Sequence, residues 1–485
     1  MIKIQISDDW KPSTEVLIIP IIKNNVTLDK MAPLTPFSST DLGRVFKGEK
    51  NEIQVLFTNQ QNIILLGLGN EKMKSKDVIK AFRKLSHHHK GKLTNQIGLY
   101  LKHFDATKEL TEYALNGLLL GTYKVGHFKT EEKKQHPLED GTAKLNIYTS
   151  ANRQETEKAA QKGVASAETQ MSIFGLVNAP ANKKTPQVLA KWAKASAEKY
   201  GYSVDVWDKA KIKEVGLHAL LAVNRGSEDP PHFIIMEYKG ANATKKVGLV
   251  GKGVTFDTGG ISIKGANNMH LMKSDMGGAA AVLGTVELSA KLQLPIHLIG
   301  IVPTTDNSVD ALAIKPSDVI DTYSGKTIEI IDTDAEGRLI LSDGLAYMVR
   351  HFEPDVLIDL ATLTGSAVRT LGYHAAALFS KNEELSAALQ AAGEKTGEKV
   401  WSLPLWEEYF DALKSDVADI RNLGTRPVAG AIAAAKFLEF FTNKHPAWAH
   451  LDIAGVAFSD MEFSKDRSST AYGVRLLVEY LSHLS

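Results

Sequence analysis

The stretch V-G-L-V-G-K-G-V-T-F-D-T-G-G-I-S-I-K, residues 247–264, decides the fold. Four residues suited to a buried strand run straight into a glycine-rich segment that carries a lysine, Lys252, and a carboxylate, Asp257. Short buried strands that feed such turns belong to layered α/β domains, whose sites gather beyond the carboxyl ends of the strands. The same pattern recurs on either side. Further strands are expected at 297–302, 356–360 and 450–454, alternating with helices at about 277–292, 337–351, 383–393 and 429–442.

Upstream, a separate alternation sets strands at 16–22, 53–57, 63–69, 97–101 and 145–148, with helices from Ser75 and near 110–123. The expected architecture is therefore α/β throughout: a smaller N-terminal α/β domain over 1–150, a linker helix over 151–177, and a larger C-terminal α/β catalytic domain over 178–485 with a mixed, largely parallel sheet. The linker interleaves charged residues with alanines, which suits a helix, and Pro180 and Pro186 break it.

Composition excludes several classes of protein. The chain has 485 residues, 44% of them apolar, enough for sizeable cores in two or more domains. Its 57 basic residues offset 56 acidic ones, so there is no broad electrostatic footprint for nucleic acid or an anionic membrane. Cysteine is absent, so any metal must be held by oxygen or nitrogen. The opening M-I-K-I-Q-I-S-D-D-W lacks the apolar core of a signal peptide, and no run approaches the roughly 20 apolar residues of a membrane span. A cytoplasmic protein is expected.

The chemistry concentrates in three runs. In D-T-D-A-E-G-R-L (332–339), Asp334, Glu336 and Arg338 alternate, so an extended or turning backbone brings two oxygen ligands to one side beside a fixed positive charge. The segment 251–264 contributes Asp257, and M-K-S-D-M-G-G-A-A (272–280) contributes Asp275 immediately before a helix, where the macrodipole favours an anion. Asp257, Asp275, Asp334 and Glu336 supply about the four negative charges that a pair of divalent ions requires. Spacing alone makes Lys252 a counter-charge, because an ammonium has no lone pair to give a metal.

At these residues the chain resembles the leucyl aminopeptidase family of metallopeptidases, whose signature is asparagine-T-D-A-E-G-R-L. The resemblance extends over roughly residues 174–480, through N-A-P-A-N-K-K-T-P (178–186), V-N-R-G-S (223–227), D-L-A-T-L-T-G (359–365), A-D-I-R-N-L-G (418–424), A-G-A-I-A-A-A-K-F-L (429–438) and H-L-D-I-A-G-V-A (450–457). It implies an aminopeptidase that hydrolyses the N-terminal peptide bond of peptides with a free N-terminus, preferring leucine and other apolar residues. It also implies two divalent ions per subunit, Mn²⁺ or Zn²⁺, held by Lys252, Asp257, Asp275, Asp334 and Glu336. Lys264 is then the ammonium that stabilises the oxyanion, and Arg338 holds a bicarbonate that accepts the proton. Met272, Thr362, Ala454 and Ala457 resemble the lining of the first side-chain pocket. A homohexamer is implied by resemblance alone.

Blander readings apply elsewhere. His87, His88 and His89 follow an amphipathic pattern and read as a solvated helix end. The basic stretch Lys129–Lys134 is interrupted by Glu131 and Glu132 and reads as a solvated loop. Two departures from the family stand out: Asp332 replaces the asparagine before the signature core, and Val309 and Ala311 replace turn residues in 305–318, where Asn307 and Pro316 still match. The competing functions are a two-metal phosphoesterase and a non-catalytic scaffold or nucleic-acid-binding protein of the same fold.

Overall fold

The computed structural model describes residues 2–10, 14–23, 34–59, 61–70, 74–131, 135–139 and 141–484. Contacts within the chain divide it into two units, Met1–Met171 and Ser172–Ser485.

In the first unit, strands β1 (Lys3–Ser7), β2 (Val16–Ile22), β3 (Ile53–Phe57), β4 (Asn62–Gly69), β5 (Gln96–Tyr100) and β6 (Lys144–Tyr148) line up in the order β1-β6-β5-β2-β4-β3. Every pairing is parallel except that of the edge strand β3 with β4. The unbroken apolar run of β2 follows from burial on both faces. Val16 and Ile18 join one apolar cluster with Ile64 and Leu66, while Leu17 and Ile19 join another with Ile63 and Leu65. The helix Ser75–His88 ends in the histidine tract, where His88 and His89 are exposed and His87 lies half-buried with Nδ1 at 3.2 Å from the Gly121 carbonyl. Within the basic stretch, Lys129 to Glu131 are exposed and 132–134 lie outside the described residues.

The helix Arg153–Asn178 contributes to both units. Ala160 packs into the first unit's core and Gln170 accepts from Asn116 at 2.8 Å, whereas Ile173 lies against Gly284 of the second unit. The division at Met171 thus falls inside the helix, because its last two turns pack with the second unit's residues.

The second unit is built on a mixed sheet of β7 (Ser203–Trp207), β8 (His232–Lys239), β9 (Lys246–Gly251), β10 (Gly253–Asp257), β11 (His297–Asn307), β14 (Val356–Ala361), β15 (Ala376–Phe379), β16 (Val400–Ser402) and β18 (Trp448–Asp452), with β12 (Val319–Asp321), β13 (Thr327–Glu329) and β17 (Ile420–Arg421) forming a small separate sheet. The main order is β16-β15-β18-β14-β9-β11-β8-β7, with β10 also on β11. The central pairings β18·β14, β14·β9 and β9·β11 are parallel, while β11·β8, β8·β7 and β15·β18 are antiparallel. The parallel centre puts the ends of β9, β14 and β18 at one edge. β10 falls within the glycine-rich segment that the sequence presented as a turn, and it continues the register of β9 on β11 after the single interruption of Lys252. The strand expected at 450–454 lies two residues earlier, because its partner β14 ends at Ala361 opposite Asp452.

The helix Gly277–Lys291 is buried along almost its whole length and packs on β9, β11 and β14. Its start approaches the sheet closely enough to exclude side chains: a Cβ on Gly278 would fall 2.0 Å from the Leu360 carbonyl oxygen, and one on Gly251 2.6 Å from the Gly278 carbonyl oxygen. Both neighbours are backbone and cannot swing away. Gly278→Ala should therefore push the helix off the strand ends at a cost of about 1–3 kcal/mol, read as a lower denaturant midpoint at unchanged m-value. A midpoint equal to that of the parent protein would show that the contact yields without cost.

Candidate metal centre and active site

All three chemical runs reach the same sheet edge. Lys252 sits between β9 and β10, where its N–H donates to Leu360 O at 3.0 Å and its carbonyl accepts from Ala279 N at 2.8 Å. Asp257 closes β10, and its Oδ1 accepts from Gly259 N and from Asn307 Nδ2, each at 2.9 Å. Asp275 stands between the turn Met269–Ser274 and the helix Gly277–Lys291, with Oδ1 accepting from Thr362 Oγ1 at 2.8 Å. Asp334 and Glu336 lead into the helix Gly337–Phe352, whose second residue is Arg338.

Carboxylate oxygens of Asp257, Asp334 and Glu336 lie within 4.8 Å of one another, the grouping able to hold a metal ion among the described residues. Asp275 joins them through Lys252, whose Nζ is 2.8 Å from both Asp275 Oδ2 and Glu336 Oε1. Lys252 is thus the counter-charge of both oxygens, while Glu336 Oε2 is buried with no hydrogen-bond partner among the described residues. Lys264 reaches Asp257 Oδ2 at 2.7 Å and also pairs with Asp334. It gets there because Gly259 and Gly260 take positive φ, +88° and +62°, turning the segment back on itself. The cluster is graded in depth, since the Glu336 side chain is 0% exposed and that of Asp334 36%.

Burial pushes Asp275 and Glu336 above the usual carboxylate range, with the Lys252 charge working against it. Asp334 rises as well, through burial and the neighbouring Asp257. Burial would lower the two lysines, but Asp275 and Glu336 around Lys252, and Asp257 and Glu336 around Lys264, hold both well above the ordinary lysine range. Burial brings Arg338 down to about 10, opposed by Glu336 and Asp332, so it remains a cation at neutral pH. Four carboxylates share Lys252 and Lys264 as their close counter-charges, with Glu336 Oε2 buried and lacking a hydrogen-bond partner among the described residues, and hard divalent cations complete arrangements of this kind. The donor set fits such an ion.

Of the pocket candidates, Thr362 and Ala457 meet at Gly277, where an added Cβ would lie 3.0 Å from Thr362 Cγ2 and 2.9 Å from Ala457 Cβ. Met272 is in the turn that delivers Asp275, and Ala454 follows β18 with its N–H donating to Asp452 Oδ1 at 3.2 Å. Asp452, which the sequence reading passed over, ties those turns together. It accepts from Thr364 Oγ1 at 2.6 Å and from Leu363 N and Ala454 N, each at 3.2 Å. Asn307, a family match in the sequence, ends β11, and its Nδ2 donates to both Asp257 Oδ1 and Thr333 O. Thr333 in turn donates to Gly259 O at 2.7 Å and accepts from Ser262 N at 2.8 Å, joining the two ligand-bearing segments. A buried Asn, Thr or Asp cannot be told from a surface one by residue type, so these three give no signal in the sequence.

Asp332 Oδ1 accepts the N–H of Asp334 at 2.8 Å, a local turn that an asparagine oxygen makes equally well. Asp332→Asn should therefore keep kcat/KM and Mn²⁺ affinity within about threefold of the parent, less than the ~1.4 kcal/mol of one tenfold step. Kinetics and calorimetry on the variant check this, and a tenfold change would put the Asp332 charge in contact with the cluster.

The sequence model of the cytosol aminopeptidase family, catalytic domain, matches residues 174–478, and that of the family's N-terminal domain matches 43–132. A probable cytosol aminopeptidase of Chloroherpeton thalassium is 48% identical over 387 residues, 78% of this chain and 76% of the relative. One from Chlorobium phaeobacteroides is 40% identical over 490 residues, 97% of each. Among solved structures, a mutant of tomato leucine aminopeptidase is 32% identical with a TM-score of 0.87, covering 100% of this chain and 97% of that one. The bottromycin maturation enzyme BotP in complex with Mn is 30% identical with a TM-score of 0.85, covering 97% and 100%. With the sequence, the two-unit α/β fold and the carboxylate cluster all in agreement, the chain belongs to the cytosol aminopeptidase family, a family of aminopeptidase hydrolases.

Proposed function

We propose that the protein is a leucyl-type aminopeptidase that releases leucine and other apolar residues from peptides with a free N-terminus, working with two divalent ions, Mn²⁺ or Zn²⁺, per subunit. The observation that carries this reading is the convergence of Asp257, Asp334 and Glu336 oxygens within 4.8 Å of one another, with Asp275 beside them on Lys252 and Glu336 Oε2 buried without a hydrogen-bond partner among the described residues. Lys252, Asp257, Asp275, Asp334 and Glu336 would hold the ions. Divalent ions there would acidify a water, polarise the scissile carbonyl and take the substrate's α-amino group.

The chain's own groups do the rest. Lys252 must release its proton to act as a ligand, which takes roughly 4–5 kcal/mol from an ordinary lysine pKa of ~10.4 to 7 and more from the raised value here, and a neighbouring dication that also neutralises the carboxylates can supply it. Lys264, on its glycine turn and partly exposed, serves as the donor that stabilises the developing oxyanion. Arg338 is buried with Nε lacking an acceptor among the described residues, so its planar fork can hold a bicarbonate as proton acceptor. Thr362 and Ala457, meeting at Gly277, give the first side-chain pocket a small lining, with Met272 and Ala454 on the adjoining turns. We further propose a cytoplasmic homohexamer; no helix among the described residues is long and apolar enough to cross a membrane, and the balanced charge offers nucleic acid no footing.

Chelator should abolish release of leucine from a leucyl anilide, and Mn²⁺ or Zn²⁺ should restore it, with an aryl phosphate left untouched as the control substrate. Full activity after exhaustive chelation would refute the reading. Lys264→Ala should lower kcat by about 10²–10³ with metal content retained, as for loss of one oxyanion donor. Metal analysis of the purified variant is decisive, because loss of the ions would make Lys264 part of the ligand scaffold instead. Light scattering should give about six times the 52.9 kDa of one chain; a monomeric mass would contradict the assembly.

A further inference from the structure

Asn422 lies in the A-D-I-R-N-L-G run, directly after β17, and is 0% exposed. Its side-chain amide meets the backbone just ahead of the acidic run as another peptide group would. Oδ1 accepts from Ile331 N at 2.8 Å and Asp332 N at 3.3 Å, while Nδ2 donates to Asp332 O at 2.7 Å. Its own N–H donates to Glu329 O at 3.0 Å, continuing the parallel pairing of β17 with β13. Its carbonyl accepts from Arg338 Nη1 at 2.7 Å, on a guanidinium whose Nε has no acceptor among the described residues. The chain of contacts then continues inward, because Asp332 Oδ1 fixes the N–H of Asp334.

We infer that Asn422 is a positioning residue that locks the turn bearing Asp334 and Glu336 and the guanidinium of Arg338 into one rigid unit. The inference deepens the proposed function and rests on it for the roles of those three residues. A buried amide in this place has a requirement that packing alone lacks: donor and acceptor must face the correct backbone atoms. Asn422→Asp keeps the shape but sets an oxygen against the Asp332 carbonyl oxygen. Asn422→Ala removes the pairing altogether. In both, the residue 422 carbonyl remains, but only its backbone bond to Glu329 is left to hold it where Arg338 needs it.

The test measures Mn²⁺ binding by calorimetry, thermal melting of the metal-free protein, and kcat and KM at saturating Mn²⁺, on full-length parent, Asn422→Asp, Asn422→Ala, Arg338→Met and the Asn422→Ala/Arg338→Met pair. Both Asn422 variants should bind Mn²⁺ at least about tenfold more weakly and, when loaded, lose about 10² in kcat with KM within about threefold, the size of effect that small misplacement of reacting groups produces. In the Arg338→Met background the loss of kcat from Asn422→Ala should shrink, since one of the groups it holds is already gone. If Asn422→Asp fails to fold, Asn422→Ala carries the test. A variant that melts lower but binds Mn²⁺ and turns over like the parent would reduce Asn422 to a packing residue and overturn the inference. A parent without chelator-sensitive peptidase activity would instead overturn the functional reading, while weaker Mn²⁺ binding by the variants would still uphold the positioning role.

Discussion

The constraint on which the rest of the second unit depends is the burial of Glu336 and Asp275 around the single ammonium of Lys252, with Glu336 Oε2 left without a hydrogen-bond partner among the described residues. An isolated buried carboxylate is costly enough to change its protonation or draw in a cation. Here Lys252 lies between the two at 2.8 Å from each, itself buried and bonded through both backbone groups to neighbouring elements. The arrangement is held open by the fold. Leu360 and Ala279 fix where Lys252 begins, Thr362 fixes Asp275, and Asn307 fixes Asp257.

Close backbone approach makes this geometry possible. The helix Gly277–Lys291 can start within reach of the strand ends only because Gly251, Gly277 and Gly278 carry no side chains. Gly337 serves the acidic run in the same way, since a Cβ there would fall 2.4 Å from Lys252 Cε. Small residues in these runs therefore convert a parallel sheet edge into a chamber into which charged side chains fit. The α/β layering supplies direction, and the glycines supply distance.

Much of this could be read from the sequence, for identifiable reasons. The unbroken apolar run of β2 and the spacing of Asp334, Glu336 and Arg338 are local signals, and local signals survive in one dimension. β10 escaped because Gly253–Asp257 is short, begins at a glycine and continues β9 after a one-residue interruption that only its pairing with β11 reveals. Asp452, Thr333 and Asn422 escaped for a different reason. Their work consists mainly of hydrogen bonds to residues 71 to 91 positions away, and nothing in a Thr, Asp or Asn announces such a partner. The family resemblance drew attention to the runs that contain Asp452 and Asn422 without saying what those residues hold.

The two lysines show how environment divides labour between identical side chains. Lys252 is 4% exposed in its side chain, anchored at N–H and carbonyl, and surrounded by Asp275, Glu336 and Asp257, so it cannot leave the cluster. A cation entering there would meet oxygens that its ammonium already occupies. Lys264 is 23% exposed and follows two glycines in the left-handed region, so its head group approaches Asp257 and Asp334 from the solvent side. One ammonium is therefore buried and anchored inside the cluster, while the other sits at its more exposed rim.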